Sequence, residues 1–169
     1  MLLLLLLSLS IQAERFLPYL DINDPELAKE TVMTQCQKSL LYAPEQLEVW
    51  CEKAYKLGYW QALEYIGLHT GDGTRYIAEL NRRAEMGKQN AVFYLAWNYH
   101  YGRFVSKNIE KSISLYYQYI NNTTKDEKSL LNRAHKELFI IYKELGELEK
   151  SATHKQMLDE YAEINAKQP

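Results

Sequence analysis

The stretch AEMGKQNAVFYLAWNYHYGRFVSKNIEKSISLY, Ala84 to Tyr116, decides the fold. Ala91, Leu95 and Tyr99 recur at intervals of four, which places them on one face of a helix. Small residues such as Ala91 and Ala96 let a neighbouring helix approach closely, and the Leu and Tyr side chains fill the groove beside them. Gly87 and Gly102 suit the left-handed backbone that ends a helix, and Asn108 suits an N-cap. Two helices joined by so short a link form an antiparallel pair. One such pair cannot bury its own apolar face, so pairs must stack.

The same frame recurs on both sides. Upstream, Trp50, Lys53, Ala54 and Gly58 lead into Ala62, Ile66, Gly67 and Gly73; downstream it returns weakly as Ala134, Leu138, Tyr142 and Gly146. Cap and stop signals predict helices from Asp24-Pro25 to Tyr42, Pro44 to Leu57, Tyr59 to His69, Arg75 to Met86, Asn90 to Tyr101 and Asn108 to Asn121-Asn122. A polar loop at Thr123 to Asp126 precedes two more, from Glu127 to Leu145 and Glu147 to Ile164. No stretch alternates as a strand would. The expected class is all-α.

The segment Ala84 to Tyr116 resembles a Sel-1-like repeat, a relative of the tetratricopeptide repeat. AEMG, AVFYLA, Tyr99, Gly102, Val105, Asn108, Lys111-Ser112 and Tyr116 occupy the places of that family's pattern. The likeness is partial over Trp50 to Gly87 and faint from Ala134 on. Ala96 stands for the second Gly, Phe104 for a loop Gly and Ser112 for an Ala. The resemblance implies an α/α solenoid of antiparallel helix hairpins wound into a right-handed superhelix, over residues 47–169. Residues 14–46 are then a capping region. A generic helical bundle is the alternative.

Composition narrows the function. The 169-residue chain carries a net charge of −2, so it has no basic surplus to meet a phosphate backbone, and nucleic acid is not an expected partner. The apolar run Leu2 to Leu7, ending near Ala13, reads as a signal peptide over residues 1–13, although no basic residue precedes it; a buried N-terminal helix is the other reading. Export to the periplasm or beyond follows, without stable membrane insertion after cleavage. Cys36 and Cys51 are the only two cysteines and lie on opposite sides of Ala43-Pro44. If that junction turns a helix pair, the thiols come level and a disulfide would add about 3 kcal/mol; two separate buried thiols are the alternative. The four histidines lack zinc-site spacing, and no catalytic motif appears, so no metal, cofactor or enzymatic activity is expected.

In the family the first helix of each pair lines a concave binding face. The resemblance therefore implies partner contacts at Asn90, Phe93, Trp97, His100 and Tyr101, at Gln61, Glu64 and Leu68 upstream, and at Arg133, Lys136 and Lys143 downstream. Aromatic anchors within a polar rim suit a protein partner, although Phe93 and Trp97 fit packing on a neighbouring hairpin equally well. Tyr99 and Tyr116 match core positions, while Tyr117 and Tyr119 are freer to close a groove. The implied function is a non-catalytic protein-binding module of the bacterial envelope, an adaptor or an immunity protein that neutralises a toxin. The alternative is a β-lactam- or peptidoglycan-binding enzyme of the family's cysteine-rich branch.

Overall fold

A computed structural model of the protein describes residues 20–123 and 130–166. The expected signal peptide and the expected helix start at Glu127 lie outside them. The described residues form eight α-helices and a short 3-10 turn, and no strand. They gather into two compact units, one ending at Glu79 and the other beginning at Leu80.

The first unit contains α1 (Lys29–Tyr42), the 3-10 turn (Pro44–Gln46), α2 (Leu47–Lys56) and α3 (Ala62–Thr70). Leu47, Trp50, Cys51 and Ala54 are buried at helical spacing along α2. Cys36 of α1 and Cys51 are bonded to each other and fully buried. Gln37 Nε2 donates to Tyr65 Oη (3.2 Å) and Tyr59 Oη donates to Glu30 (3.2 Å), so α3 advances alongside α1 in the same direction. Trp60 stacks on Tyr76 at 6.1 Å, which ties in the first part of α4 (Thr74–Glu85).

Asp24-Pro25 does not open α1. The Asp24 carboxylate accepts from Glu26 N–H (2.9 Å) and Asp21 accepts from Asn23 N–H (2.9 Å). These local turns satisfy the backbone without a helix, so α1 starts at Lys29.

The second unit contains the end of α4, then α5 (Gln89–Tyr101), α6 (Ile109–Asn122), α7 (Leu131–Glu144) and α8 (Leu148–Ala166). After α4, Lys88 N–H bonds Arg83 C=O (3.0 Å) and Gly87 N–H bonds Ala84 C=O (2.9 Å). Gly87 sits at φ +77° in this paired closure. The closure recurs at Gly58 and Gly146. It brings the chain straight into α5, capped at Lys88, so Asn90 is an exposed first-turn residue and not the cap. Asn108 is a cap as expected: its side chain accepts from Lys111 N–H at 2.9 Å.

Phe93 meets Tyr119, Ala96 C=O accepts from Ser112 Oγ (2.8 Å) and Tyr99 C=O accepts from Asn108 N–H (2.9 Å). Residue numbers fall on one side as they rise on the other, so α5 and α6 are antiparallel. Ala91, Leu95 and Ala96 are buried, and Ser112 in place of Ala spends its hydroxyl across the close contact. The core gathers Val92, Phe93, Ala96, Tyr116, Tyr119, Ala134, Leu138, Ile141 and Tyr142. Tyr119, expected to be free, is 1% exposed and packs edge-on against Phe93 at 5.6 Å.

Candidate functional site

The aromatic residues of α5 divide between two environments. Phe93 is fully buried and His100 is 2% exposed, so both side chains, expected at a binding face, sit in the interior. Phe93 is buried because Tyr116 and Tyr119 of α6 close over its two edges. Trp97 is half-buried, and Tyr101, one turn on, is 50% exposed. Their rings lie 4.9 Å apart.

Arg103 and Phe104, neither of them expected as partner contacts, complete this patch. The Arg103 guanidinium lies 5.1 Å from the Trp97 ring and 5.3 Å from the Phe104 ring, a cation between two π faces. Phe104 holds φ +62°, the only described non-glycine residue at positive φ. For a bulky side chain that backbone costs about 1–2 kcal/mol. Strained residues gather at functional sites because the surrounding structure has to over-determine them. The available signal was Phe104 standing where the repeat family has glycine.

The patch is anchored from beneath by a buried carboxylate. Glu137 of α7 is 6% exposed. Tyr101 Oη donates to its Oε2 at 2.7 Å, and His100 Nδ1 lies 3.2 Å from the same oxygen. Burial pushes the Glu137 carboxyl up, but the bonds from His100 and Tyr101 and the nearby charge of Arg133 outweigh it, and the group stays below the usual carboxylate range. It is therefore an ionised, buried acceptor. Burial and then the Glu137 bond push the Tyr101 phenol up to about 12, so Tyr101 remains a donor at any physiological pH. The arrangement fixes the Tyr101 ring by its hydroxyl while half of the residue stays exposed.

Arg133 is exposed and stands over the Phe93 ring at 5.6 Å, and its charge reaches Tyr101 and Glu137. It is thus brought to the patch. Lys136 is exposed on the same helix, and Lys143 stands over Phe139 at 5.9 Å. Gln61 and Glu64 belong to the first unit, where Glu64 N–H bonds Gln61 C=O (3.0 Å) at the start of α3 and both side chains are half-buried. Leu68 lies further along α3 and is 38% exposed. In the same unit, open hollows of ≈ 370 and ≈ 480 Å³ meet at Ile22, Asn23 and Val49. No group of three or more metal-ligating side chains occurs among the described residues.

The chain matches no known family, and neither a curated protein nor a solved structure matches it.

Proposed function

We propose that this protein is an exported, non-catalytic binding module made of Sel-1-like hairpins in a right-handed solenoid. It captures another protein through Trp97, Tyr101, Arg103 and Phe104, as an immunity protein or an adaptor. The observation that carries this reading is Tyr101: its ring is half exposed while its hydroxyl is pinned on a buried carboxylate. A rigid aromatic anchor loses little entropy on binding, which is how tyrosine and tryptophan come to dominate protein interfaces. The succession of antiparallel helices and glycine closures, and Phe104 in a left-handed turn where the repeat has Gly, support the repeat reading. The buried Cys36–Cys51 bond suits an oxidising compartment. No described helix is long and apolar enough to cross a membrane.

The test is capture from envelope extract by wild-type protein and by the Trp97→Ala/Tyr101→Ala variant, with circular dichroism to check that the variant is folded. A stoichiometric partner held by wild type and lost by the variant is the expected result. Equal capture by both would refute this face. The second reading, a wall-binding enzyme of the cysteine-rich branch, rests on the disulfide. Hydrolysis of a chromogenic β-lactam by the purified chain would favour it.

A further inference from the structure

The last helix is attached to its unit differently from the others. The buried core of the second unit draws on α5, α6 and α7 and, among the described residues, on none of α8. Among its described side chains only Ser151 and His154 are buried, and both are polar. Ser151 Oγ donates to Phe139 C=O (3.4 Å), Met157, Leu158 and Tyr161 are half-buried, and the remaining buried side chain of α8 among the described residues is His154. That imidazole lies against His135 of α7, with the two Nδ1 atoms 2.9 Å apart. Its Nε2 meets Tyr117 Oη of α6 at 3.1 Å, and its ring stacks on Tyr142 of α7 at 5.7 Å.

The proton positions follow from the bonds. Tyr142 Oη donates to Tyr117 Oη (3.3 Å), which leaves the Tyr117 proton for His154 Nε2. An accepting Nε2 puts the His154 proton on Nδ1, where it donates to His135 Nδ1. The chain of bonds is satisfied only while both rings are neutral. A proton added to His135 enters at Nδ1 and sets N–H against N–H. A proton added to His154 enters at Nε2 and turns the Tyr117 hydroxyl away. Two cationic rings at this separation also repel each other without a counter-charge.

We propose that the His135–His154 pair is an acid-sensitive clasp, which on taking up protons releases α8 from α6 and α7 while the rest of the unit stays folded. Burial holds both imidazoles below their ordinary value, with facing His135 adding to the effect on His154, which is lowered to about 4. Among the described residues, the groups facing the pair do not supply a compensating anion. Tyr117 Oη accepts from Tyr142 Oη, burial pushes the Tyr142 phenol away from ionisation, and the Tyr161 ring of α8 lies 6.1 Å from His135. Lys150 sits over Tyr142 and is paired with Glu147 at 2.5 Å, Lys155 is paired with Asp159 at 2.8 Å, and Glu137 of α7 is engaged by His100 and Tyr101. Release uncovers Tyr142 and the paired imidazoles, a surface absent at neutral pH.

Linkage fixes the sign. His154 takes up a proton near pH 6.5 when released and only near 4 when closed, and the lowered His135 acts in the same direction, so opening is favoured as pH falls between those values. The opening constant of α8 rises about tenfold per pH unit for the His154 proton, and more steeply where His135 takes up a second. Residue-resolved amide exchange, corrected for intrinsic rates, reads this directly from pH 7 to 4.5. The expected result is loss of protection in α8 ahead of α5 and α6, with the pH slope abolished in a His135→Asn/His154→Phe variant. Unchanged α8 protection, simultaneous loss across all four helices, or the same slope in the variant would overturn the clasp. If the variant does not fold, the imidazole nitrogen shifts of wild type decide: His154 should stay neutral, protonated on Nδ1, well below pH 6, and titration near 6.5 would refute the proposal.

Discussion

Breaking the Cys36–Cys51 bond should destabilise the first unit by about 3 kcal/mol. The two cysteines are separated by 15 residues in sequence. Closing a loop of that size in the unfolded chain removes roughly 10 cal/mol/K of entropy, or about 3 kcal/mol at 25 °C. For a unit of this size that corresponds to roughly 12–24 °C in Tm. Reduction keeps the sequence unchanged, so the same chain serves as its own control. Both cysteines are fully buried, so the bond should resist a reductant in buffer and yield once denaturant opens the unit. The assay is urea unfolding of oxidised and of fully reduced protein, followed by far-ultraviolet circular dichroism, with free thiols counted at each point. The reduced chain should unfold at a lower urea midpoint with a slightly larger m value, because its unfolded state is less compact. A difference below about 1 kcal/mol would refute the argument, since the unfolded loop would then be constrained by something other than the cross-link.

Leu138→Ala, at a fully buried core position, should cost about 2–5 kcal/mol, read from the urea midpoint. Glu137→Gln should change acid stability: the native carboxyl is held below the ordinary value, so its contribution is present above about pH 4.5 and is lost as pH falls through the lower folded value. The variant's stability should therefore vary less with pH below 4.5 than wild type's, as measured by denaturation at a series of pH values. Gly102→Ala should cost more than Gly146→Ala in thermal melts. Both glycines have positive φ, but a Cβ at 102 meets Lys107 Cβ at 3.2 Å, whereas at 146 nothing lies within 4 Å.

Helix order was legible because it is written in local signals. Asn108 caps α6 through its own side chain, and glycines close α2, α4 and α7 in left-handed turns, all within a few residues of chain. Asp24-Pro25 shows the limit of such signals, since the same side chain that caps a helix also closes a turn. The candidate site was harder to read. Phe93 and Trp97 are one turn apart on one helix, and periodicity cannot say that Tyr116 and Tyr119 arrive from α6 to cover Phe93 alone. The relation of Arg103 and Phe104 to Trp97 depends on a left-handed backbone at Phe104, which the sequence marks only as a departure from a loop Gly.

By itself, the order of residues determined the succession of helices, set the two cysteines on either side of Ala43-Pro44 and left no excess charge for nucleic acid, because caps, glycines and four-residue spacings act over one or two turns. Tertiary structure alone decided which aromatic rings stay at the surface, that Glu137 is an ionised anchor beneath Tyr101, and that His135 and His154 meet. These depend on contacts between residues 19 to 37 positions apart. At that range burial and charge are set by which helix packs on which, and not by the neighbours along the chain.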